Sequence, residues 1–128
     1  MTTTRTKDAK DGEATPEYET TPQELRRLLE GAPDRVLVLD IRSPEAYATG
    51  HIPGARNAPL ETLGAIHAEL PRGRLLVTCC GGDACGLSLM AALELTATGF
   101  RAKRLRGGVE GWRRKGYAVA TATPAHAG

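Results

Sequence analysis

Apolar and polar positions along this chain fall into blocks of two kinds. Val36-Leu37-Val38-Leu39-Asp40-Ile41 and Leu75-Leu76-Val77 are short apolar runs, the pattern of strands buried on both faces of a parallel sheet. Thr21-Pro22-Gln23-Glu24 opens a helix, with threonine as cap, proline in the first turn and glutamate three residues after the cap. Leu25, Leu28 and Leu29 form its apolar stripe, Gly31 stops it, and Arg26 and Arg27 lie on its solvated face. Ser43-Pro44-Glu45 starts a second, short helix that ends at Gly50, with Glu45 as a first-turn acid. His51 to Ala55 is a turn in which His51 is structural, and Ala55 to Ala58 is a short strand. Leu60 to Leu70 predicts one helix interrupted by Gly64, and Leu87 to Ala97 a mostly apolar helix long enough to be buried. Arg101 to Leu105 is a strand whose Lys103 and Arg104 place it at an edge. Gly107-Gly108 is a sharp turn, and Val109 to Lys115 is a short helix anchored by Trp112. A further edge strand is expected near Tyr18. Alternating strands and helices, without repeat or linker, predict one α/β domain over residues 17–120 with a mainly parallel sheet. Residues 1–16 are polar and predict a disordered tail, and 121–128 a frayed end.

Composition changes this picture little. The 128 residues suit a single core. Aromatic residues make up only 4%, so aliphatic side chains must fill it. A formal net charge of +2 gives no argument for nucleic acid. No run of about 18 apolar residues exists to span a membrane, and the polar N-terminus is not a secretory leader. A cytoplasmic, reducing location is expected.

The cysteines change it more. Cys79, Cys80 and Cys85 fall within Leu75 to Ser88, between a strand and a helix, among Gly81, Gly82 and Gly86. Glycines there admit positive φ and tight turns. A thiol among backbone amides at a helix start has a lowered pKa and sits where an anion is stabilised. Cys80 therefore reads as a sulfur nucleophile. The amides of Gly81, Gly82, Asp83, Ala84, Cys85 and Gly86 are its anion-binding loop. Adjacent cysteines are a poor start for a zinc site, and His51, His67 and His126 lie in unrelated segments, so no metal and no cofactor are expected.

Four segments together resemble a known family. Leu39-Asp40-Ile41-Arg42-Ser43-Pro44-Glu45-Ala46-Tyr47, Gly50-His51-Ile52-Pro53-Gly54-Ala55-Arg56-Asn57, the loop Cys79 to Ser88, and Arg106-Gly107-Gly108-Val109-Glu110-Gly111-Trp112 are similar, in order and spacing, to the signatures of a single-domain rhodanese. The resemblance implies a five-stranded parallel sheet flanked by helices on both faces. It also implies an active cysteine after the central strand, in a loop that cradles a persulfide. Carried over, that cysteine is Cys79 or Cys80. Members with a second loop cysteine have the pattern Cys-x4-Cys-x2-Ser, which Cys80, Cys85 and Ser88 fit, leaving Cys79 as the inward-pointing end of the strand. The resemblance also gives Asp40, Arg42 and Arg106 supporting places near the loop, although fold stability alone explains Asp40 and Arg42 as well.

The chain departs from the family in the loop, which carries Asp83 and no arginine. An acid there disfavours dianionic donors such as thiosulfate. The expected activity is a sulfurtransferase that moves a sulfane sulfur from a small donor to a thiol or cyanide through a Cys80 persulfide. Cys85 is either a bystander or a resolving thiol that forms a disulfide with Cys80, provided their Cα atoms lie within about 7 Å. The alternative is a non-catalytic binding or redox-sensing module that uses the same thiols. Phosphatase or arsenate reductase chemistry needs Cys-x5-Arg, and the sixth position after Cys80 is Gly86. Seven cations between Arg101 and Lys115 face only Glu110 in sequence. They are a solvated surface or a docking face for an acidic protein.

Overall fold

The computed structural model describes residues 17–82 and 85–121. The expected tail 1–16, the end 122–128, and Asp83 and Ala84 of the loop lie outside the described residues. Five parallel strands form one sheet in the order β1-β5-β4-β2-β3. They are β1 (Glu19–Thr20), β2 (Val36–Asp40), β3 (Arg56–Asn57), β4 (Leu75–Cys79) and β5 (Arg101–Leu105). The helices are α1 (Pro22–Gly31), α2 (Pro44–Thr49), α3 (Leu63–Ile66), α4 (Leu87–Ala97) and α5 (Gly108–Arg114).

Helix α1 begins as its sequence dictates. Glu24 N–H donates to Thr21 Oγ1 at 3.2 Å, and Thr21 N–H donates to Glu24 Oε1 at 3.3 Å. This reciprocal pair satisfies two end-of-helix donors. The two-residue period of the strands divides the core into two layers. Val36, Val38, Leu75, Val77 and Cys79 face Leu25, Val109 and Trp112, the layer under α1 and α5. Leu39, Leu76 and Ala102 face Leu63, Ala91, Ala92 and Leu95, the layer under α3 and α4. Helices therefore cover both faces, and every residue of β4 is buried.

Three local expectations differ from the structure. Residues 60–70 form no single helix: a 3-10 turn (Leu60–Thr62), the one-turn α3 and a second 3-10 turn (His67–Glu69) follow one another. Gly64 is a poor helix former, and Thr62 Oγ1 donates to the Pro59 carbonyl at 2.8 Å, a local bond that competes with helix extension. Breaking the segment lets Leu63 and Leu70 both reach the sheet. Strand β5 is not an edge, because β1 pairs beyond it. Its Arg104 fits there because it binds the carboxylate of Glu19 at 3.0 Å, which Arg106, one residue beyond the strand, also binds at 3.3 Å. Helix α4 buries only one face, through Ser88, Ala91, Ala92 and Leu95. Leu87, Met90 and Leu93 stand exposed on the other. Among the described residues, no helix is long and apolar enough to cross a membrane.

Candidate active site around the Cys80 loop

Strand β4 lies between β2 and β5 and delivers the cysteine loop at its C-terminal end, where open parallel sheets place their ligand crevices. Strand alternation sends the two adjacent cysteines to opposite sides. Cys79 ends the β4 row that faces α1 and α5 and is fully buried. Cys80 is half-buried and packs against the α3/α4 layer. Burial pushes the Cys79 thiol well above its ordinary pKa, and the negative charge of Asp40 adds to this, partly offset by Arg42. A thiol held neutral in this way is a packing group rather than a nucleophile.

Cys80 is joined to Cys85 by a disulfide, with their Cα atoms 6.4 Å apart, inside the reach of such a bond. The loop is pinned from below by α5. The Val109 amide donates to the Cys80 carbonyl and the Glu110 amide to the Gly81 carbonyl, both at 2.9 Å. Within the loop the Cys85 amide donates to Gly82 O at 3.2 Å. Buried Thr78 Oγ1 donates to Ser88 O at 2.7 Å, tying the end of β4 to the first turn of α4. Gly86 caps α4 and has no side chain with which to cover the helix-start amides, which lack intrahelical partners.

The loop glycines do not take the conformation expected of them. Gly81, Gly82 and Gly86 keep negative or extended φ; the left-handed glycines that meet the loop are Gly107 and Gly108, at φ 80° and 61°. Their turn brings α5 under the loop. A Cβ on Gly108 would lie 2.5 Å from the Cys80 carbonyl oxygen and 2.9 Å from Gly81 C and Gly82 N. Sequence reading marks this glycine pair only as a turn, since the requirement for close approach arises in the tertiary contact. Gly108→Ala should cost on the order of 3 kcal/mol, from backbone strain plus displacement of the loop. A urea unfolding midpoint measures it. Gly81→Ala, where a Cβ meets nothing within 4 Å, should leave that midpoint nearly unchanged.

Asp40 and Arg42 meet beside this loop but on the Cys79 side. Asp40 is completely buried and lies opposite Cys79 in the β2–β4 register. Arg42 grips it with Nε to Oδ1 at 2.9 Å and Nη2 to Oδ2 at 2.7 Å, and Nη2 also donates to the Gly50 carbonyl at 2.8 Å. Asn57 Nδ2 donates to the Asp40 and Arg42 carbonyls at 3.1 and 3.0 Å. These residues frame the strand ends rather than touching the Cys80 sulfur. Arg106, which immediately precedes the Gly107-Gly108 turn, binds Glu19; this carboxylate, far away in sequence, could not be assigned to it by spacing. His51 is buried, stacked on Tyr47 with ring centroids 3.7 Å apart, its Nδ1 2.8 Å from Tyr47 O. Among the described residues, no three His, Cys, Asp or Glu side chains cluster as metal ligands.

Comparison with known proteins agrees with this fold. Residues 21–115 match the model of the rhodanese-like domain. The chain is 36% identical over 116 residues to the HTH-type transcriptional regulator Rv0324 of Mycobacterium tuberculosis, covering 91% of this chain and 50% of that protein, so it spans half the length of this relative. It is 35% identical over 85 residues to a sulfurtransferase of Allochromatium vinosum, covering 66% of this chain and 78% of that one. The crystal structure of the BH2092 protein from Bacillus halodurans superposes with a TM-score of 0.75 at 32% identity, covering 82% of this chain and 77% of its own.

Proposed function

From the premise that this chain belongs to the rhodanese-like domain family, we propose that it is a sulfurtransferase carrying sulfur as a persulfide on Cys80. The observation that carries the reading is the contrast between the two neighbouring cysteines. Cys79 is entombed in the core with a raised pKa, and Cys80 sits half-buried in a loop braced by α5 and adjoining the start of α4. The Cys80 thiolate attacks the sulfane sulfur of a donor and expels the rest of the donor. A thiol or cyanide then takes the outer sulfur and regenerates the thiolate. Backbone amides at the α4 start stabilise the terminal sulfur anion. Asp83, placed in the loop by sequence, favours neutral or singly charged donors over thiosulfate. The test is thiocyanate production by the reduced protein from glutathione persulfide, polysulfide, mercaptopyruvate or thiosulfate with cyanide. Repeated turnover with at least one donor supports the reading, and no turnover with any of them contradicts it.

The disulfide favours a second reading, in which Cys85 makes the domain a sensor. The Cys85 thiolate attacks the inner sulfur of the Cys80 persulfide and expels the outer one as hydrosulfide. Two thiols are thereby oxidised and one sulfane sulfur is reduced, with no outside oxidant. Similarity to a transcriptional regulator suits such a module, and the cations on α5 would suit an acidic partner. After a single equivalent of polysulfide, the native protein should lose two hydrogens and release sulfide. Cys85→Ser should instead retain one added sulfur, as read by intact mass. Persulfide that persists equally in both would remove the sensing role of Cys85 and leave the transfer reading untouched.

A further inference from the structure

A cavity of about 650 Å³ opens at the N-terminal edges of β2 and β4, the end of the sheet opposite Cys80. That volume is typical of small-molecule sites. Its wall is aromatic: Trp112 and Tyr117 meet edge to face, with ring centroids 5.0 Å apart. The indole N–H is already spent on the Ala118 carbonyl at 2.8 Å, and Trp112 is only 3% exposed, so it meets the cavity with a small part of its ring edge. Val36 and Leu29 add aliphatic area. Three cations, Arg26, Arg74 and Lys115, line the cavity against one carboxylate, Glu30. Glu30 is taken by Arg26 at 3.0 Å, and that guanidinium also lies 4.6 Å above the Tyr117 ring. Arg74 and Lys115 have no ion-pair partner among the described residues. An apolar, aromatic-walled cavity with two unspent cations is complementary to a flat hydrophobic body bearing one anionic group.

We propose that this cavity is a binding site for small aromatic carboxylates and related planar organic anions. It is independent of the sulfur chemistry, because none of the described residues of the Cys80 loop lines it. Trp112 is the protein's single tryptophan and forms part of the wall, so its emission reports occupancy directly. The probe is 8-anilinonaphthalene-1-sulfonate, titrated into the full chain while Trp112 quenching is followed. Saturable quenching is expected, weakened about tenfold in the Arg74→Glu/Lys115→Glu variant through loss of two surface charge interactions. A Met90→Glu change on the exposed stripe of α4 should have no effect. In the native protein, 1-naphthoate should displace the probe and neutral 1-naphthalenemethanol should not, a result that needs no folded variant. The proposal is overturned by quenching that never saturates, by equal displacement with the neutral alcohol, or by binding lost in Met90→Glu and retained in the charge-reversed protein.

Discussion

Cys80→Ser should lower sulfur transfer by about a thousandfold or more, the scale of loss when a covalent nucleophile is removed, while Cys79→Ala should keep most of the rate. The two residues are neighbours in sequence, so the contrast tests the strand alternation that separates them. Cys79 lies in the apolar layer beneath α5, where truncation to alanine should cost about 1 kcal/mol of stability by leaving a small void. Its rate should nevertheless survive, because its thiol is held neutral by burial and contributes no attacking sulfur. Initial rates with a persulfide donor, measured beside a urea melt of each variant, separate a lost nucleophile from a loosened fold. A Cys79→Ala protein that is folded yet inactive would reverse the assignment.

Arg42→Ala should be the most damaging change to stability away from the loop, at about 3–5 kcal/mol. It removes the bidentate partner of a carboxylate with no solvent exposure and releases the Gly50 carbonyl from its guanidinium. Desolvation makes an unpaired buried charge expensive, whereas an exposed pair is worth little. Arg56→Ala is the matched control: its bond to Glu69 is as short, 2.7 Å, but both side chains are well exposed, and its cost should stay below about 1 kcal/mol. Denaturant midpoints of the two variants decide the comparison. Equal, small losses would show that Asp40 finds water or another donor when Arg42 is gone.

The features legible in the sequence are those fixed by near neighbours. The Thr21 to Glu24 cap, the uninterrupted runs that become β2 and β4, and the glycine stops at Gly31 and Gly50 all act within one turn or one strand, and each is present in the structure. The placement of Cys79 on an inward row also follows from period two. Features set by distant partners were hidden. Lys103 and Arg104 resemble edge residues until Glu19 arrives from 85 residues away in sequence to bind Arg104. The apolar run from Leu87 to Ala97 has no polar stripe, so nothing in it says that Leu87, Met90 and Leu93 stay exposed. The freedom expected of the loop glycines is instead used at Gly107 and Gly108, because it is the approaching helix, not the loop, that must turn sharply.

The proposed chemistry reduces to the location of one sulfur atom. Reduced protein treated with one equivalent of glutathione persulfide, quenched with an alkylating agent and fragmented by mass spectrometry, locates it directly. The fragment ions should place the added sulfur on Cys80 in the Cys85→Ser protein, with Cys79 unmodified. Added sulfur on Cys79, or on no cysteine of the loop, would contradict a persulfide carried at the end of β4.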